Sequence, residues 1–276
     1  MGKGTVFVTG ASTGIGRAAV DRLAKEGYDV LAGVRKESDA PASASGHVLI
    51  DLADPDGITT ACKEVLSHGP LVGLVNNAGI SVNGPCEVVP LEAWRRQFEV
   101  NLFGHLAVTK ELLPPLLESK GRIITVGSIG GRFSAPFLAP YSASKFAIRA
   151  WMEALRVELA PHGVQAVLIE PGAIATEIWG KGNEVLDRTM DDATQEQRKR
   201  YEAQITSARR LAGFAERTAV PADVAAKVIA KALTSSNPKG RYLVGKDARL
   251  EAAVAVLPTR AMEGVTRLMF RQPKRG

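Results

Sequence analysis

Only two cysteines, Cys62 and Cys86, occur in the 276 residues, which excludes a disulfide framework. Each reads as a small buried hydrophobe rather than a nucleophile. No apolar run approaches the ~20 residues that a membrane-spanning helix requires. Past Lys3 the chain goes straight into a strand pattern, with no hydrophobic leader and cleavage site. The expected location is therefore cytoplasmic. The chain also lacks internal repeats and any Pro/Gly/Ser-rich stretch long enough to separate two domains. Net charge is +6, yet the basic residues are scattered, without a Lys/Arg block or an aromatic-interleaved ribbon. Nucleic acid is thus not an expected partner. No metal site is expected either. At 45% hydrophobic and 23% charged, the composition is that of an ordinary globular protein.

What the chain does have is alternation. Strand patterns fall near 4–9, 29–34, 47–50, 71–76, 121–127, 164–170 and 240–244, with helical patterns near 14–26, 55–68, 91–118, 141–160 and 221–234. Such alternation predicts an α/β fold: one doubly wound parallel sheet of about seven strands with helices on both faces. A single Rossmann-like domain is expected over residues 1–276. Residues 177–219 interrupt the rhythm with polar, charge-mixed sequence and sparse apolar positions. They read as a helical lid or, more plainly, as a solvated pair of surface helices. Residues 247–276 form a C-terminal extension.

Three local patterns carry chemistry. Tyr141 and Lys145 are four residues apart, just ahead of Ile148, Met152, Leu155 and Leu159 at helical spacing. They share one helix face, one turn apart. An ammonium beside a phenol favours the phenolate, which would lower the Tyr141 pKa toward neutrality for proton exchange with an alcohol or carbonyl. The second pattern is Thr5–Thr9 followed by Gly10-Ala11-Ser12-Thr13-Gly14-Ile15-Gly16 and an apolar-periodic run. Strand, glycine-rich turn and helix suit a pyrophosphate, since the backbone can approach closely and the helix N-terminus attracts anions. The alternative is an ordinary βα turn. Third, Ser128 follows the buried-strand pattern Gly121–Gly127. In an open α/β sheet ligands gather at the carboxyl ends of strands. A hydroxyl there can hold a substrate oxygen or simply cap the next turn.

Together these residues resemble the short-chain dehydrogenase/reductase family. The matching positions are Thr9-Gly10-x-x-x-Gly14-Ile15-Gly16, Asn76-Asn77-Ala78-Gly79, Asn101, Ser128, Tyr141 with Lys145, and Pro171-Gly172 with Thr176. They occur in family order over roughly residues 4–178, and none is substituted. The stretch Gly130-Gly131-Arg132-Phe133 with Pro136–Tyr141 resembles steroid- and retinoid-metabolising members. The resemblance implies oxidoreduction between an alcohol and a ketone or aldehyde, with a nicotinamide dinucleotide as cofactor. It implies Ser128 holding the substrate oxygen, Tyr141 exchanging the proton and Lys145 also holding the nicotinamide ribose. Asn101, unfavourable inside its apolar helix pattern, would hold by its backbone a water that relays the proton from Lys145 to solvent. Gly10, Ser12, Thr13, Gly14, Ile15 and Gly16 would bind the pyrophosphate end. Asp51 and Leu52 would meet the adenine; Asn77, Ala78 and Gly79 would line the ribose. Pro171, Gly172, Ile174 and Thr176 would meet the nicotinamide. Asp51 could equally cap a turn, and Asn76–Gly79 could be purely structural.

Cofactor choice is read after the second strand, where Arg35-Lys36 stands in place of an acid. A basic residue suits a 2′-phosphate, and an arginine can grip it bidentately. NADP is expected, with NAD as the alternative and a merely solvated Arg35 as the plain reading. Phe133, Phe137, Ile178 and Trp179 are apolar and close to the motifs. With Ser128 and Tyr141 they are expected to form a pocket for a lipophilic alcohol or carbonyl such as a steroid, a retinoid or a long-chain compound. A noncatalytic, cofactor-binding regulator on the same fold is the alternative. A homodimer or homotetramer is expected. The tail mixes Leu250, Val254, Val256, Leu257, Val265, Leu268, Met269 and Phe270 with Arg260, Arg267, Arg271, Lys274 and Arg275. A basic amphipathic segment can lie on an anionic membrane. The favoured expectation is nevertheless a helix packed over the substrate mouth or a subunit partner, since Pro258 splits the segment and modest amphipathicity is expected.

Overall fold

A strand covered on both faces must be apolar at consecutive positions, and Val6, Phe7 and Val8 are all fully buried. The structure, a computed structural model, describes residues 3–270; Arg271, Lys274 and Arg275 of the tail lie outside these residues. The strands are β1 (Thr5–Thr9), β2 (Asp29–Val34), β3 (Gly46–Leu49), β4 (Leu71–Asn76), β5 (Arg122–Val126), β6 (Gln165–Pro171), β7 (Ile174–Ala175), β8 (Val220–Pro221) and β9 (Arg241–Val244). Seven of them form one parallel sheet in the order β3-β2-β1-β4-β5-β6-β9. The strand order reverses between β1 and β4. In such sheets the crevice at that reversal, beyond the carboxyl ends, is where ligands bind. The two-residue strands β7 and β8 pair only with each other and were too short to show as a sequence pattern.

The helices are α1 (Gly14–Lys25), α2 (Pro55–Ser67), α3 (Leu91–Phe98), α4 (Gly104–Ser119), α5 (Ala139–Leu159), α6 (Ile178–Asp191), α7 (Gln195–Thr218), α8 (Ala222–Thr234), α9 (Lys246–Val254) and α10 (Thr259–Met269). Period-two alternation divides the core between them. Phe7, Leu74, Ile123 and Leu168 face α2, α4 and α5, where Ile58, Leu112 and Met152 are buried. Val6, Val8, Ile124 and Ile169 face the opposite way, toward α1 and α8, against Val20, Leu23 and Ile229. The doubly wound α/β sandwich expected from the alternation is thus present.

The helical pattern at 91–118 is not one regular helix. A π-helical turn, Glu99–Phe103, separates α3 from α4. Cys62 is buried as expected, whereas Cys86 is exposed. The segment 177–219 forms two long helices, α6 and α7. Thr194 and Gln197 close a reciprocal capping box at the start of α7. Apolar anchorage comes partly from outside the segment: Phe137 is buried with Leu186 and Ile205 and meets the Tyr201 ring edge-on at 6.2 Å. The Glu87 carboxylate accepts from the Tyr201 hydroxyl at 2.7 Å and from Arg200 at 2.6 Å.

Candidate active site

The turn after β1 is built for close approach. Gly10 has φ +65° and Gly14 has φ +55°, a region costly for residues with a Cβ. A Cβ on Gly16 would collide with the Gly10 carbonyl and the Asn77 side chain. The Asn77 amide donates to the Thr9 and Gly10 carbonyls at 3.0 and 3.1 Å. In return the Thr9 hydroxyl accepts from the Asn77 and Ala78 amides at 3.0 and 3.2 Å. These bonds fasten the glycine turn to the end of β4 across the strand-order reversal. At the start of α1, Thr13 is the extended N-cap residue, its side chain makes no cap bond, and no acid occupies the first turn. The first amides of α1 are left to an anion. This side-chain-free cradle fits a dinucleotide pyrophosphate.

Around it stand the other residues expected to touch a dinucleotide. Thr176 closes over Gly14, its methyl lying 2.9 Å from where a Cβ would be. Pro171 and Ile174 are buried, and Gly172 is half-buried. Arg35 is exposed at the end of β2 and makes no ion pair among the described residues. Its guanidinium is free for a phosphate. Asp51 accepts from the Ala53 amide at 2.9 Å, but Asp54, not Asp51, caps α2. Leu52 is buried, and its carbonyl lies against Gly104, where a Cβ would not fit.

Tyr141 and Lys145 sit in the first turns of α5, with Pro140 among the first helical positions. Ser128, in extended conformation after β5, accepts from the Gly130 amide at 3.0 Å. Its hydroxyl is close enough to the Tyr141 phenol to favour phenol ionisation. Lys145 is 5% exposed. Its Nζ donates to the Val126 carbonyl at 3.0 Å and lies 5.7 Å from the centre of the Tyr141 ring. The expected depression of the phenol by this ammonium is not what dominates. Burial raises the Tyr141 pKa, and the Ser128 contact only partly offsets it. Burial also lowers Lys145 to about 8. The physical reason is that desolvation penalises both charged forms, and the ammonium spends its hydrogen bond on a carbonyl.

Asn101, within the π turn, is fully buried. Its side-chain oxygen accepts from the Ile80 amide at 2.9 Å, and its amide donates to the Ile80 carbonyl at 3.1 Å and the Ser144 hydroxyl at 3.1 Å. Ser144 in turn donates to the Tyr141 carbonyl at 2.7 Å. Asn101 therefore ties the segment after β4 to the helix carrying Tyr141 and Lys145.

The apolar residues expected at the substrate do not share one pocket. Phe133 lines a groove of about 570 Å³ with Pro136, Leu257, Met262 and Arg267. Phe137 is committed to the lid cluster, at φ +70°. Ile178 and Trp179 begin α6, half-buried, with the indole donating to the Ile174 carbonyl at 2.8 Å.

Several residues that position the site were not singled out from sequence. Glu170, at the end of β6, holds Arg132 through bonds of 2.9 and 2.6 Å, pinning the turn after Ser128. Asp247 accepts from the Ala173 amide beside Gly172. His105 is fully buried, close to Lys145 and to the Ala78 backbone. Burial, then the Lys145 charge, lowers its pKa to about 3.

Comparison with known proteins agrees with this arrangement. The family model described as "short chain dehydrogenase" matches residues 4–186. The chain is 36% identical to the NADPH-dependent 3-dehydrocapnine reductase of Ornithobacterium rhinotracheale, covering 94% of both chains. It is 35% identical to bovine (Bos taurus) dehydrogenase/reductase SDR family member 9, covering 88% of this chain and 81% of that one. Among solved structures, a short chain dehydrogenase from Burkholderia cenocepacia in complex with NADP superimposes with a TM-score of 0.74 at 26% identity, over 95% of this chain and 96% of that one.

Proposed function

The chain belongs to the short-chain dehydrogenase/reductase family, and from that we propose that it is an NADP-dependent oxidoreductase interconverting a lipophilic alcohol and its ketone or aldehyde. The bound nicotinamide supplies or accepts the hydride. Everything else is the work of side chains. Ser128 hydrogen-bonds the substrate oxygen. Tyr141 gives that oxygen a proton during reduction and takes it back during oxidation. Lys145, buried one turn away, carries a proton that can replace the one Tyr141 gives up. Asn101 holds the Ile80 backbone and Ser144 in register, and its backbone in the π turn is the place for a water that completes the relay. The first amides of α1 would hold the pyrophosphate, Arg35 the 2′-phosphate, and Thr176 the carboxamide.

One observation carries this reading: the Tyr141 phenol lies beside the Ser128 hydroxyl with a nearly dehydrated ammonium one turn away. A phenol whose pKa is raised is protonated at neutral pH, the form that donates. The free Arg35 guanidinium, the NADPH-dependent relative and the NADP-bound structure support NADP. Phe133 and Pro136, in the stretch between Ser128 and Tyr141, support a lipophilic substrate. Exposed Phe103, Phe146 and Val157 on the α3–α5 side support a homo-oligomer.

Tyr141→Phe tests the chemistry. It should keep the fold and bind NADP, yet reduce carbonyls roughly 10²–10⁴-fold more slowly, the cost of losing a general acid. A panel of steroids, retinals and small ketones, followed by NADPH oxidation, gives the reference rate. Turnover near the wild-type value would remove Tyr141 from the mechanism.

A further inference from the structure

The C-terminal helices leave an apolar surface that the fold does not use. Fourteen large hydrophobic side chains are exposed among the described residues, and six of them fall between Leu250 and Met269. Leu268 and Val256 are the most exposed of all, at 81% and 80%. Helix α10 buries none of its own residues. Ala261, Val265, Leu268 and Met269 recur at helical spacing along its outer side. Contrary to the modest amphipathicity expected from sequence, α10 separates apolar from polar side chains more sharply than the other helices. Pro258 does not prevent this, because it serves as the N-cap of α10 rather than interrupting it.

Charge is concentrated in the same segment. Residues 246–276 carry seven basic and three acidic side chains, a net +4 of the chain's +6. Lys246, Arg249, Arg260 and Arg267 make no ion pair or hydrogen bond among the described residues. Of the acids, Asp247 is committed to the Ala173 amide. A second copy of the chain would be a poor cover for this face. A two-fold contact places a patch against itself, so it would set the unpaired Lys246, Arg249 and Arg260 against their own copies. An anionic surface meets both demands, receiving the apolar stripe and neutralising the free cations.

We propose that α9 and α10 dock the protein on an anionic lipid surface, with Leu250, Val256, Val265, Leu268 and Met269 entering the headgroup boundary and Arg249 and Arg260 meeting the lipid phosphates. This goes beyond the enzymatic reading and does not depend on it. Asp247 ties α9 to the Pro171–Ala173 segment, so docking would turn the carboxyl edge of the sheet toward the lipid.

The test is flotation of the full chain with vesicles of phosphatidylcholine alone or of phosphatidylcholine with phosphatidylglycerol. The protein should float with the anionic vesicles only, and added salt should release it. Replacing Arg249 and Arg260 together by Ser should weaken binding by roughly 25-fold, at about fivefold for each basic residue near the surface. Leu268→Asp should abolish flotation while leaving the melting temperature and the sedimentation coefficient unchanged. No flotation with anionic vesicles, or equal flotation with both kinds, overturns the proposal. So does a Leu268→Asp protein that falls to a smaller oligomer, which would show that a second copy covers the face. If Leu268→Asp fails to fold, the arginine pair alone decides.

Discussion

Lys145 should make the cofactor-free protein less stable than it could be, and Lys145→Met measures by how much. The ammonium is buried, with its pKa lowered from 10.5 to about 8. In the unfolded chain the same group titrates near 10.5. Below pH 8 both states are protonated and the folded state bears the full desolvation cost. Between about 8 and 10.5 the folded state has released its proton while the unfolded state keeps it, so stability rises with pH. At about 1.4 kcal/mol per unit, a lowering of this size corresponds to roughly 3 kcal/mol. Methionine has similar length and no charge, but it abandons the 3.0 Å bond to the Val126 carbonyl, a loss of about 1.5–3 kcal/mol for a charged donor. At pH 7 the variant should therefore be as stable as wild type or more stable, by up to about 1.5 kcal/mol. For a domain of this size that is a rise of up to about 3–6 °C in melting temperature. Activity should be lost at the same time. The decisive measurement is denaturant unfolding of both cofactor-free proteins from pH 7 to pH 10.5. The variant's advantage should fall steadily across that window and reverse by its end, as wild type sheds the penalty. A stability difference that stays constant with pH would show that the ammonium is not desolvated, and the argument would fail.

His105 gives the converse case in acid. Its folded pKa is about 3 against 6.5 unfolded, so protons bind the unfolded state first and stability is lost as pH falls through 6.5 toward 3. His105→Phe should move the acid-unfolding midpoint to lower pH, as followed by circular dichroism; an unmoved midpoint would refute this. Arg35→Asp should raise the dissociation constant for NADPH far more than that for NADH, because the carboxylate repels a 2′-phosphate and accepts from a free 2′-hydroxyl. Fluorescence titration with both cofactors decides, and an unchanged preference removes Arg35 from the site. Residues 177–219 should exchange amide hydrogens quickly without a ligand and slowly with NADP plus a lipophilic carbonyl. Strong protection in the cofactor-free protein would instead mark α6 and α7 as fixed, held by Phe137 and Glu87.

What could be read from sequence was whatever the chemistry writes locally. The glycine turn shows itself because positive φ and the absence of a Cβ leave a spaced signature within seven residues. Tyr141 and Lys145 show themselves because one helical turn joins them. The sheet shows itself because strands buried on both faces are continuous apolar runs. The π turn at Glu99–Phe103 had one local trace, an asparagine amid apolar helix residues, but the bonds that justify it run to Ile80 and Ser144. No short window contains those three positions. Phe137 misled for a related reason. Its proximity to the motif suggested a pocket wall, whereas its left-handed backbone turns it into the cluster under α6 and α7.

The pairs that position the site are all long in sequence and converge at the carboxyl edge of the sheet. Arg132 meets Glu170 from 38 residues away, and Ala173 meets Asp247 from 74. Both bonds hold segments at the carboxyl edge of the sheet, the turn after Ser128 and the segment around Gly172. A Cβ at Gly172 would strike the Asp247 carboxylate, so the glycine is required by the clamp as well as by any close approach to a nicotinamide. A charged acceptor on a main-chain amide is worth about 1.5–3 kcal/mol, enough to hold one loop conformation against the alternatives. The tail is thus no appendage to the catalytic unit. The first turn of α9, through Asp247, holds the Gly172–Ala173 segment in place.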